Sequence, residues 1–102
     1  MDSALFSSLG LNEKAAKVYL AALPLGIASV AQIAQKTGLK RPTVYLYIDE
    51  LLKRGFMEKA AVGKRQYYRP SDPEALIAQI RKNMAELEIA LPKLAALQAE
   101  AG

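Results

Sequence analysis

The sequence predicts a mainly α chain with one small β-hairpin, an α+β class in which three short helices precede the hairpin and one long helix follows it. Three observations predict this order. Apolar residues recur every three or four positions as far as residue 54, and the period drops to about two between residues 56 and 69. A seam of heptad spacing then runs from Ile77 to Leu94. Glycine or proline stands at each change of period. With 102 residues, the chain fits one small domain plus an extra helix, and the expected division is residues 1–70 and 71–102.

The first helix opens at Leu11-Asn12-Glu13-Lys14, with Asn12 as candidate N-cap and the Glu13 carboxylate complementing the helix dipole. Ala15, Val18, Tyr19 and Ala22 share its buried face, and Pro24-Leu25-Gly26 ends it. Ile27-Ala28 leaves room for only a stub of strand. Ser29-Val30-Ala31-Gln32 matches a capping box, in which the Ser29 hydroxyl accepts from the Gln32 amide while the Gln32 side chain reaches back. In the second helix Val30, Ile33 and Ala34 face inward, and Thr37-Gly38 closes it, because glycine adopts the left-handed C-terminal conformation cheaply. Leu39-Lys40-Arg41 connects to Pro42, which suits a first turn whose N–H has no partner anyway. The third helix runs to about Arg54, where Gly55 stops it. Val44, Tyr47, Ile48 and Leu51 fall within a ~100° arc of its wheel. Leu46, Asp49 and Lys53 lie opposite, with Thr43 and Glu50 on the flank.

Residues 56–61 and 65–69 read as two strands around Val62-Gly63-Lys64, with Gly63 free to take positive φ. Tyr67 and Tyr68 alternate faces, so one packs inward and the other looks out. Pro70-Ser71-Asp72-Pro73 forms a hinge, and either Ser71 or Asp72 can cap the last helix, with Pro73 in its first turn. Ile77, Ile80, Met84, Leu87, Leu91 and Leu94 then follow at spacings of 3, 4, 3, 4 and 3. Such a face can fold back on its own domain, but the strict 3.5 period and the helix length favour a second chain, making this a coiled-coil dimerisation helix. The seam fades at Gln98, and Pro92 predicts a kink or break because it removes an internal hydrogen bond.

Composition excludes several kinds of chemistry. No cysteine and no histidine occur, which removes thiol nucleophiles, Zn–thiolate sites and the commonest general base. Asp49/Glu50 and Glu86/Glu88 point apart along their helices, so neither pair flanks one substrate, and no phosphate-cradling glycine motif is present. The expectation is a non-enzyme without metal or cofactor. The start of the chain lacks the pattern of a signal peptide, and no apolar run reaches the ~20 residues of a membrane span, so a soluble cytoplasmic chain is expected, with no membrane partner.

The net charge of +4 is unevenly spread. Lys36, Lys40, Arg41, Lys53, Arg54, Lys59, Lys64, Arg65 and Arg69 face only Asp49, Glu50 and Glu58 in the middle third, while residues 1–35 are neutral overall and residues 70–102 are net acidic. A polyanion touching that third explains the pattern; an ordinary solvated surface is the alternative.

Two helices joined by a short turn, followed by a basic hairpin, form a winged helix-turn-helix. A major groove about 12 Å wide admits one helix, usually led by its N-terminal residues. Lys40 and Arg41 just before the third helix and Pro42, Thr43, Tyr45 and Leu46 on it are therefore candidate DNA-binding residues, with Lys64, Arg65 and Arg69 on the hairpin, where Lys59 adds charge. Arg41 suits either a bidentate guanine contact or a phosphate. Leu46 suits a thymine methyl, or is an isolated surface leucine. Tyr45 can bond a phosphate or simply cover the helix seam. Asp49 and Glu50 would repel phosphates, which limits groove entry to the first turn or two. The expected partners are double-stranded DNA and a second copy of the chain, giving a nucleoid-associated homodimer that reads a specific sequence. A winged helix that binds protein within a larger assembly, and a sequence-neutral architectural protein, are the alternatives.

Residues 9–23, together with Ile33-Ala34-Gln35-Lys36-Thr37-Gly38, Arg41-Pro42-Thr43-Val44-Tyr45 and Leu52-Lys53-Arg54-Gly55-Phe56-Met57-Glu58, resemble the DNA-binding region of the TrmB family of archaeal and bacterial transcription regulators. Residues 63–70 are similar to that family's wing, and Leu91-Pro92-Lys93-Leu94 to the break in its linking helix. The resemblance implies DNA binding through the helix starting at Pro42, and repression or activation of transcription. Many members carry a sugar-sensing domain after the coiled segment; the expectation is that this effector domain is not in this chain, and the effector ligand is unknown. Leu46 stands where members often have an acidic or polar residue.

Overall fold

The computed structural model describes residues 4–7 and 10–102. The chain divides into two compact units, Met1–Ser71 and Asp72–Gly102. The order of elements in the first is α1 (Ala4–Ser7), α2 (Glu13–Ala22), α3 (Val30–Thr37), α4 (Arg41–Lys53), β1 (Met57–Val62) and β2 (Arg65–Pro70), and the second is α5 (Pro73–Ala99). This is an α+β winged helix-turn-helix followed by a long helix.

The helices start where local chemistry dictates. The Asn12 side chain accepts from the Lys14 amide at 2.7 Å and caps α2. The capping box of α3 forms in full: the Gln32 amide donates to Ser29 Oγ at 3.2 Å, and the Ser29 amide donates to Gln32 Oε1 at 2.8 Å. Gly38 ends α3 with φ 76°, and the Thr37 hydroxyl donates to the Ile33 carbonyl while accepting from the Leu39 amide. Helix α4 begins one residue earlier than the proline suggests: Lys40 is the N-cap residue, without a side-chain cap bond, Arg41 is already helical, and Pro42 sits one place further in.

The core of the first unit comprises Tyr19, Ile33, Ile48, Leu51, Val18 and Val44, all essentially inaccessible. Ala34 and Tyr47, expected to face inward, are only half-buried. Helix α1 is a single turn, too short for a periodic pattern to announce it; Phe6 from it is buried, with its ring 5.6 Å from that of Tyr19. On the other side of Tyr19 lies Phe56, at 6.2 Å.

The hairpin pairs Val62 with Arg65 and Met57 with Pro70, so its turn is only Gly63 and Lys64. Gly63 has φ 63° and Lys64 a negative φ, the sign pattern of a type II′ turn, which matches strand twist. Ala28 exchanges both backbone hydrogen bonds with Tyr68 at 2.8 Å, so the predicted stub is a single bridge on the outer edge of β2. Tyr68 is the inward tyrosine and Tyr67 the half-exposed one. Ser71 completes the unit: its amide donates to Phe56 O at 2.9 Å, its hydroxyl to Gly55 O at 2.9 Å, and its carbonyl accepts from the Tyr19 hydroxyl at 3.0 Å.

With Ser71 so engaged, Asp72 is the residue that caps α5, accepting from the Glu74 amide, and Pro73 opens the helix. No break occurs at Pro92: α5 is continuous through it, so the one ladder hydrogen bond that the proline removes does not end the helix. Among the described residues no helix is long and apolar enough to cross a membrane.

Candidate nucleic-acid interface

Helix α4 buries Val44, Ile48 and Leu51, and that face fixes which residues look outward. Arg41, Pro42, Tyr45 and Leu46 are exposed, Tyr45 at 55% and Leu46 at 63%, whereas Thr43 is half-buried. Lys40 is exposed at the helix start. Helix α3 packs on α4 from the N-terminal side in sequence, and the bridge from Ala28 to Tyr68 brings β2 alongside.

The result is one open depression lined by Ser29, Val30 and Ala31 of the α3 start, Arg41 and Tyr45 of α4, and Arg65, Gln66 and Tyr68 of β2. The sequence-predicted residues Arg41, Tyr45 and Arg65 are thus brought together, and Lys40 and Lys64 are their immediate chain neighbours. The α3 N-terminus, with the positive end of its dipole, opens on the same place. Sequence reasoning missed that contribution, although the capping box marks where the N-terminus lies. A second depression beside it is lined by Ile27, Ser29, Gln32, Val62, Arg65, Gln66 and Tyr67.

Not every basic residue is equally available. Arg69 Nη2 contacts Glu58 Oε2 at 2.9 Å, with Nε at 3.3 Å from the same oxygen, across a directly paired position of the hairpin. Lys53 pairs with Asp49 at 3.1 Å one turn apart on α4. Arg54 donates to Gly10 O at 2.9 Å and lies 5.6 Å from the centre of the Phe56 ring. Among the described residues, no ion pair engages Lys36, Lys40, Arg41, Lys59, Lys64 or Arg65. Burial pushes the Tyr68 hydroxyl above the ordinary tyrosine value, with Tyr45 and Asp49 adding to the effect. It therefore stays protonated and neutral beside Arg41 and Arg65 throughout the physiological range.

Among the described residues no group of acidic side chains could hold a metal ion. On α5 the seam residues Ile77, Ile80, Met84, Leu87, Leu91 and Leu94 are between 36% and 59% exposed.

A sequence comparison with curated proteins finds no match. The fold is similar to part of that of TrmBL2, an archaeal chromatin protein reported to show a novel mode of DNA binding, with TM-score 0.80 and 22% identity over 96% of this chain and 39% of that one. The chain thus spans about two fifths of the TrmBL2 chain. A second structure, of a transcriptional regulator, matches with TM-score 0.67 and 27% identity over 95% of this chain and 71% of that chain. The profile of the family described as sugar-specific transcriptional regulator TrmB matches residues 5–74, and the chain belongs to that family.

Proposed function

We propose that this chain binds double-stranded DNA as a homodimeric, sequence-specific transcriptional regulator. The first two turns of α4 enter the major groove, and the hairpin lies on the backbone or in the adjacent minor groove. The observation that carries this reading is the shared depression, where Arg41 and Tyr45 of α4 meet Arg65 of the hairpin and the N-terminus of α3. A phosphate backbone following that surface meets cations from two elements at once. In this reading Arg41 approaches a base edge, and Lys64 and Arg65 act on phosphates. Arg69 contributes only when it leaves Glu58. The pairing of Lys53 with Asp49 supports a groove contact confined to the start of α4, since the later turns carry their own neutralised charge.

Dimerisation through α5 is supported by the exposed heptad seam, because six apolar side chains left in water on one helix face call for a covering surface. Two recognition helices related by a two-fold axis address half-sites about 34 Å apart. A nucleoid-associated place in the cytoplasm follows from this reading.

A sequence-neutral, DNA-coating role is the second reading. It is favoured by the outer face of α4, where Tyr45 and Leu46 offer mostly apolar surface and Arg41 is the one strong donor to a base edge. Selection of bound duplexes from a random pool separates the two. Enrichment of a palindromic sequence bound at least 10³-fold more tightly than random duplex establishes the regulator; equal affinity for selected and random duplex overturns it in favour of coating.

A further inference from the structure

We infer that α5 pairs with a second copy of this chain in antiparallel orientation, with Arg81 of each copy facing the partner's Glu88. This rests on the dimer reading above and adds its direction.

The seam itself is indifferent to direction. Ile77, Met84 and Leu91 occupy one seam position of successive heptads and Ile80, Leu87 and Leu94 the other, so both orientations bury all six. The residue types, however, do not follow the parallel two-stranded preference for β-branched side chains at the first position and leucine at the second, since isoleucine and leucine each occur at both.

The flanking charges do choose. Beside the seam stand Arg81 and Glu88 on one edge and Asn83 and Ala90 on the other. In a parallel pair, opposite edges meet, and Asn83 faces the partner's Glu88 while Ala90 faces the partner's Ala95; no opposite charges adjoin. In an antiparallel pair the layers join Ile77 to the partner's Leu94, Ile80 to the partner's Leu91 and Met84 to the partner's Leu87. Like edges then meet, and the two-fold axis sets Arg81 beside the partner's Glu88 twice per dimer. Neither residue has an ion-pair partner in its own chain among the described residues. The charge along α5 agrees: Arg81 and Lys82 outweigh Glu74 in its first half, and Glu86 and Glu88 outweigh Lys93 from residue 86 onward. Antiparallel pairing lays the cationic half on the anionic half, and it opposes the helix dipoles. Parallel pairing lays like on like.

Direction has a consequence for DNA. At 1.5 Å per residue, antiparallel pairing separates the two Pro73 ends by about 38 Å along the rod. This is close to one turn of duplex, about 34–36 Å. Parallel pairing brings those ends together.

The absence of cysteine makes an introduced thiol unique. A nitroxide on Gln98→Cys, read by pulsed dipolar spectroscopy in the full chain, is expected to show an interspin distance near 40 Å. A distance under about 20 Å, set by the 8–10 Å spacing of paired helices plus the label arms, overturns the antiparallel pairing and leaves the dimer standing. A chain that sediments as a monomer with no interspin distance overturns both. Independently, Arg81→Glu is expected to raise the dimer dissociation constant on the order of tenfold, by turning two attractive pairs repulsive. Adding Glu88→Arg in the same chain is expected to restore it; failure of that restoration overturns the assignment.

Discussion

Ser29 shows how much one side chain decides. Its hydroxyl and the Gln32 amide group satisfy two backbone donors at the start of α3, and the same turn forms part of the wall of the cationic depression. Ser29→Ala is expected to cost about 1 kcal/mol. For a domain of this size that lowers the melting temperature by about 4–8 °C, measurable by circular dichroism. Arg41→Ala is expected to cost about 1–3 kcal/mol at a single base position, whereas Lys64→Ala weakens every duplex alike; affinities for a set of singly substituted operators separate the two patterns. Glu58→Gln releases Arg69 from its cross-strand pair. It is expected to tighten DNA binding and to steepen the dependence of log affinity on log salt by about 1 per protomer. Local chemistry of the Ser29 kind is legible in the sequence because donor and acceptor are three residues apart. The Arg69–Glu58 pair was not, because it depends on the hairpin register, and the register depends on whether the turn holds two residues or three.

At the scale of elements, periodicity located α2, α3, α4, the hairpin and α5 to within a residue or two. The misses have physical causes. Helix α1 is four residues long, so no repeat exists to detect, and its place is set by the distant contact of Phe6 with Tyr19. Helix α4 starts at Arg41 because a proline is accepted anywhere in a first turn whose amides have no carbonyl partner. The choice between Ser71 and Asp72 as cap turned on long-range bonds from Ser71 to Gly55 and Phe56, invisible to local reading. Pro92 lies within a continuous helix at the expense of one hydrogen bond, so Pro92→Ala is expected to stabilise α5 by up to ~3 kcal/mol. A higher midpoint in thermal melting followed by helical ellipticity checks this, and an unchanged midpoint contradicts it.

For the whole molecule, the candidate site was legible in outline, because charge clustered in one third of the sequence. What the sequence did not show was which cations remain available after Lys53, Arg54 and Arg69 have found partners within the protein. Nor did it show that the start of α3 joins the surface. In the proposed function Lys40, Arg41, Lys64 and Arg65 act as one surface on DNA, and the decisive measurement is fluorescence anisotropy of a labelled duplex across a salt series. With four such cations per protomer and two protomers, the slope of log affinity against log salt is expected to reach about −7 if all bind phosphate, and somewhat less if Arg41 reads a base. The chain with all four changed to alanine is expected to lose most of that slope and nearly all affinity. Equal affinity and slope for the two proteins, both folded, would show that these four cations do not form the DNA-binding surface.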